Sequence, residues 1–144
     1  MIRSVLIATV LAFAASSSMA QMSPVGLWQT VDDETGKVTS EVRIEERNGV
    51  IFGKIEKLTN PADQDSVCDK CSDDRKNKKV LGLEIIRDLK KTEGKDMWEG
   101  GTIIQPSTGK VFKATVAPIE GGKKLQLRGY IAFFYKTQTW IRVQ

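Results

Sequence analysis

From residue 26 onward, apolar and polar side chains alternate with a period of two, the pattern of strands that bury one face. Val42 and Ile44 alternate with Arg43 and Glu45, and Asn48-Gly49 then supplies a two-residue hairpin turn. Closing that turn pairs Arg47 with Val50, Ile44 with Gly53 and Val42 with Ile55. Val42, Ile44, Ile51, Gly53 and Ile55 then share one face, while Arg43, Glu45, Lys54 and Glu56 share the other. Agreement of two strands on one register predicts the hairpin, because a slip by one residue would turn every apolar side chain outward.

The same grammar repeats along the chain. Residues 26–30 predict a first strand, and 97–104 a strand with a glycine bulge or bend. Pro106 to Gly109 reads as a turn before a strand over 111–117 that places Phe112, Ala114 and Val116 on one face. After a turn at Gly121-Gly122, the residues Leu125, Leu127, Gly129, Ile131 and Phe133 alternate with Gln126, Arg128 and Tyr130. Residues 137–143 close the chain. Over 80–91 the spacing of Leu81, Ile85, Ile86 and Leu89 also fits a helical stripe; Gly82 and the clustered isoleucines favour a strand. Residues 59–79, rich in Asp, Lys, Asn and Ser, read as a long surface loop.

Eight short strands with tight turns define an all-β chain. An open sheet of that size leaves two edges, which an antiparallel eight-stranded up-and-down barrel removes. Its interior either fills with side chains or holds one small ligand. A sandwich is the competing fold.

Residues 1–20 stand apart: Arg3, an apolar run over 5–15, and small residues at Ser18 and Ala20. This is the layout of a signal peptide cleaved after Ala20, too short to span a bilayer. Gln21 rather than cysteine follows, so no lipid-attachment site is present. The expectation is an exported, periplasmic or secreted, single domain over 21–144, without a transmembrane segment. The sequence is silent on its oligomeric state.

A formal charge of +4, with both signs interspersed, argues against nucleic-acid binding. The basic run Arg75 to Lys79 follows four acidic residues (Asp65, Asp69, Asp73, Asp74) and reads as a solvated loop. There is no histidine, which excludes Ser-His and Cys-His nucleophile pairs and histidine metal sites. The acidic clusters Asp32-Asp33-Glu34 and Asp73-Asp74 sit on turns facing water, and Glu99 beside Trp98 is the nearest approach to a buried acid. The glycine pairs lack the helix N-terminus that a phosphate cradle needs. No catalytic residue, metal or cofactor is expected, and the chain does not read as an enzyme.

Cys68 and Cys71 are the only cysteines. A catalytic Cys-x-x-Cys needs a depressed thiolate pKa within a βαβ unit, which is missing here, and the surrounding aspartates act in the opposite direction. A metal site would need two carboxylates as further ligands. In an oxidising compartment the two thiols are expected to close on each other as a local clasp on the 59–79 loop.

Several stretches taken together resemble a known family: Gly26-Leu27-Trp28 with Asp32-Asp33 and Thr35-Gly36-Lys37; the Cys68-x-x-Cys71 loop; Trp98-x-Gly100-Gly101; Pro106-x-x-Gly109-Lys110; Leu127-Arg128-Gly129-Tyr130; and Gln138-Thr139-Trp140-Ile141-Arg142. Their order and spacing resemble a bacterial exported family, domain of unknown function 2147, over nearly all of residues 21–144. That resemblance implies a small lipocalin-like barrel. Gly26, Trp28 and Arg142 also match the lipocalin pattern of Gly-x-Trp on the first strand with an arginine late in the last strand lying across the indole, which implies a structural pair closing one barrel end. The chain departs from the family at Ala132-Phe133-Phe134-Tyr135, where a glycine and a polar break are usual; that end becomes more apolar. It is also shorter than a typical lipocalin and shows no obvious long lid loops, which leaves both a small cavity and a filled interior open.

The function expected on this basis is binding or carriage of a small apolar or amphipathic molecule, lined by Ile44, Ile55, Trp98, Phe112, Leu127, Phe133 and Trp140. An envelope interaction protein without a cavity ligand is the alternative, and an enzyme acting on envelope polymers or acyl groups a third.

Overall fold

The computed structural model describes residues 22–144, so the signal peptide expected over 1–20 lies outside the described residues. Eight strands follow in order: β1 (Gly26–Val31), β2 (Val38–Arg47), β3 (Val50–Leu58), β4 (Glu84–Lys91), β5 (Trp98–Gln105), β6 (Lys110–Ile119), β7 (Lys124–Ile131) and β8 (Phe134–Arg142). Each pairs antiparallel with the next, and β8 returns to β1 to close the barrel. Closure leaves no free sheet edge, and it excludes the sandwich.

The β2–β3 register is Arg47↔Val50, Ile44↔Gly53 and Val42↔Ile55, as the Asn-Gly turn requires. Asn48 and Gly49 both adopt positive φ, the conformation of a type I′ turn. β4 resolves the ambiguous stretch as a strand that begins only at Glu84. Between Gly53 and Lys54 the β3–β4 register shifts, so Ile85 becomes an extra residue and both Ile85 and Ile86 are buried. Such a bulge breaks strict alternation, which is why this segment also fits a helical stripe.

Alternate connections lie at opposite ends. One end carries the 48–49, 92–97 and 120–123 turns together with the start of β1 and the end of β8; the other carries 32–37, 59–83, 106–109 and 132–133. The interior toward the first end is packed solid by Trp28, Val42, Ile44, Ile51, Ile86, Leu89, Val116 and Leu125, all fully buried. Each large side chain removed from water in this way contributes about 1.5–3 kcal/mol. Gly53 fits the crowding: a Cβ there would come within 3.1 Å of Ile86 and 3.3 Å of Val42.

Trp28 plugs this end, its indole N–H donating to the Pro24 carbonyl at 2.8 Å. The Arg142 guanidinium lies 4.2 Å from the indole centroid. It donates to the carbonyls of Ser23, Val25, Gly122 and Gln144. Burial lowers the Arg142 pKa from its usual value, and the four carbonyls and the ring face offset the cost of enclosing its charge. Gly26 makes room for this arrangement, since a Cβ there would meet the Gln144 carbonyl oxygen at 2.4 Å.

A candidate ligand cavity at the open end

Toward the opposite end the side chains no longer meet across the axis. They leave a cavity of about 460 Å³ that opens to solvent between the 32–37, 59–83, 106–109 and 132–133 connections. Ile55, Ile85, Ile103, Ile104, Phe112 and Leu127 form its apolar wall, and Trp140 lies at its inner part. The polar groups are few and paired among themselves. The Thr30 hydroxyl is 2.6 Å from that of Ser40, and the Trp140 indole N–H donates to the Gln138 side-chain oxygen at 3.3 Å. Lys136 stands at the rim, its Nζ 3.3 Å from the Asp33 carboxylate.

Of the seven residues expected to line a ligand, Ile55, Phe112, Leu127 and Trp140 face this space. Ile44 and Trp98 point inward but lie in the packed half, where no space remains. Phe133 is corrected outright: it is 98% exposed at the tip of the β7–β8 hairpin. β7 ends at Ile131, which pairs with Phe134, so Ala132-Phe133 is itself a two-residue turn with Ala132 at φ 49°. Alanine and phenylalanine carry none of the usual turn signals, and the alternation therefore ran on through them. The sequence reading missed Ile85, Ile103 and Ile104. Each sits in a pair of adjacent isoleucines, and a strict period of two admits only one member of such a pair to the interior.

The 59–83 connection is no loose loop. Cys68 and Cys71 are disulfide-bonded, with their Cα atoms 5.4 Å apart, and both are buried. The Cys68 and Val80 amides donate to the Lys78 and Ser66 carbonyls, and Val67 bridges to Lys79. Arg75 is only 3% exposed. It forms a double contact with Asp73 and donates to the Glu84 carbonyl at 2.9 Å, tying the loop to the start of β4. Hydrogen bonding from Arg75 lowers the Asp73 carboxyl to about 2. Arg87 holds Asp74 through two hydrogen bonds of 2.8 and 2.9 Å. The basic run is thus partly an internal brace rather than wholly a solvated face, and pairing with nearby aspartates makes burial of Arg75 tolerable.

Among the described residues, no helix is long and apolar enough to cross a membrane. The disulfide is compatible with an exported protein.

The fold has a solved counterpart. Protein HP1028 from the human pathogen Helicobacter pylori, described as belonging to the lipocalin family, matches with a TM-score of 0.73 over 86% of this chain and 85% of that one, at 21% identity. At that identity the likeness concerns the fold. No curated protein matches the chain. The profile of a bacterial family described as "uncharacterized protein conserved in bacteria (DUF2147)" matches residues 26–142, from the glycine that opens β1 to the arginine that ends β8. The chain belongs to the DUF2147 family and has the barrel of a lipocalin.

Proposed function

We propose that the protein binds and carries a small amphipathic molecule with an apolar tail, in the periplasm, after export and cleavage behind Ala20. One observation carries this reading: a barrel packed solid at one end encloses at the other an apolar cavity of about 460 Å³ with an open mouth. That volume lies within the range of small-molecule sites, and the ratio of apolar wall to a few polar groups is typical of them. Isoleucine, leucine and aromatic walls favour an acyl or ring system. Thr30, Ser40 and Gln138 offer hydrogen bonds to a polar group, and Lys136 at the rim favours an anionic one. The reading is of binding rather than catalysis. The disulfide supports an oxidising compartment.

Native mass spectrometry of the protein recovered from its own envelope tests this. A single bound species at one per chain, released on unfolding, is expected. A chain of bare protein mass, unchanged after exposure to envelope lipid extract, would overturn the proposal.

A further inference from the structure

The β7–β8 hairpin projects from the cavity rim and carries apolar surface into solvent. Phe133 is 98% exposed, Phe134 77%, Tyr135 58% and Ile131 54%. Ile131 and Phe134, paired across the hairpin, also line the mouth, so one apolar surface runs unbroken from the cavity wall to the tip. A soluble protein gains nothing from four large exposed side chains on one short turn, and such a patch marks an interaction site.

Charge identifies the partner. Strands β6, β7 and β8 together carry Lys110, Lys113, Lys124, Arg128, Lys136 and Arg142 and no acidic residue. Lys110, Lys113, Arg128 and Lys136 lie toward the hairpin end. Arg128 stacks 4.8 Å from the Tyr135 ring centroid, and Lys136 is paired with Asp33. The other connections at this end carry acidic residues, Asp32, Asp33 and Glu34 on one and Asp63, Asp65, Asp69, Asp73 and Asp74 on the clasped loop, where Lys70, Arg75, Lys76, Lys78 and Lys79 balance them. The rim is therefore asymmetric, with an aromatic tip and an acid-free basic wall on one side and connections of mixed charge on the other. Aromatic rings flanked by lysine and arginine suit the interface of a bilayer with anionic headgroups, where the rings enter the acyl boundary and the cations meet phosphate. We propose that the β7–β8 hairpin docks the protein on anionic phospholipid bilayers, with the acid-free β6–β8 wall toward the lipid. A molecule could then pass between bilayer and cavity along Ile131 and Phe134 without crossing water. This exchange role rests on the cavity reading; the docking itself does not.

The test is flotation of residues 21–144, which include every strand of the closed barrel, with vesicles of phosphatidylcholine alone or mixed with phosphatidylglycerol. The variants are Phe133→Ser and the double variant Lys110→Glu/Lys113→Glu, none of which touches the cavity. Binding that needs phosphatidylglycerol is expected, weakened roughly tenfold or more by each variant. Uptake of a fluorescent fatty acid in vesicle-free solution should remain as in the unchanged chain. Wild-type protein left unbound at both compositions would overturn the proposal, as would Phe133→Ser floating like wild type. A dimer in solution that Phe133→Ser dissociates would also overturn it, by assigning the patch to a second copy. Vesicle binding that follows these variants while no probe enters the barrel would leave docking standing and remove the cavity reading alone.

Discussion

Gly109, in the β5–β6 turn, lies against the backbone of Lys70 inside the disulfide clasp: a Cβ added at Gly109 would sit 1.9 Å from the Lys70 carbonyl oxygen. The Cys68 sulfur is 3.6 Å from the Pro106 carbonyl oxygen of the same turn. The clasped loop is thus seated on a neighbouring turn at the cavity mouth. Gly109 also has φ +70°, so Gly109→Ala combines backbone strain with a clash against main chain. It should lower stability by about 2 kcal/mol or more and expose the 59–83 connection to protease. Denaturant unfolding together with limited proteolysis measures both effects.

Reduction of the Cys68–Cys71 bond should act locally. Closing so short a loop contributes roughly 2 kcal/mol by the chain-entropy argument. The reduced protein should keep its far-ultraviolet β signal while cleavage sites appear between 59 and 83. Collapse of the whole barrel on reduction would show that the clasp holds more than its loop.

Arg142→Met should be among the most damaging substitutions outside the aliphatic core. It removes stacking on Trp28 and leaves the carbonyls of Ser23, Val25, Gly122 and Gln144 without their common donor. A loss of about 2–3 kcal/mol is expected. Arg142→Lys should recover only part of it, because an ammonium cannot spread its donors over four carbonyls. Thermal unfolding of both variants provides the comparison.

Acid should loosen the brace of the clasped loop. Hydrogen bonding from Arg75 holds the Asp73 carboxyl at about 2, and Arg87 lowers Asp74 in the same direction. A carboxyl depressed in the folded state adds stability above its unfolded pKa and loses it as pH falls through the folded value. The Asp73 contribution is therefore complete above about pH 4 and fades toward pH 2. Discounted for screening at a side chain about a third exposed, it is on the order of 1 kcal/mol. Unfolding curves at pH 7 and pH 2.5 should differ by less in Asp73→Asn than in the unchanged chain.

Much of the barrel was legible in the pattern of side chains, because strand alternation and turn chemistry are local. Asn48-Gly49 set the β2–β3 register, whereas Trp28 with Arg142 marked the sealed end only through the resemblance to lipocalins. Depth along the barrel axis was not legible: Ile44 and Leu127 alternate in the same way, yet one lies in the packed half and the other on the cavity wall. Nor was the end of β7, since Ala132 adopts positive φ without a residue type that signals it. The burial of Arg75 depends on a contact with β4 that local pattern does not encode.

Uptake of one amphipathic molecule in the open half of the barrel, as proposed, should be blocked by a side chain at Gly129. Gly129 lines the cavity, and a Cβ there would make ordinary contact with Phe112 at 3.5 Å, so Gly129→Leu fills the space without a backbone clash. Titration of a fluorescent fatty acid into the unchanged chain should saturate at one per barrel, and Gly129→Leu should weaken that uptake roughly tenfold or more while remaining folded. No saturable uptake, or uptake equal in the two proteins, would show that the cavity is not a binding site.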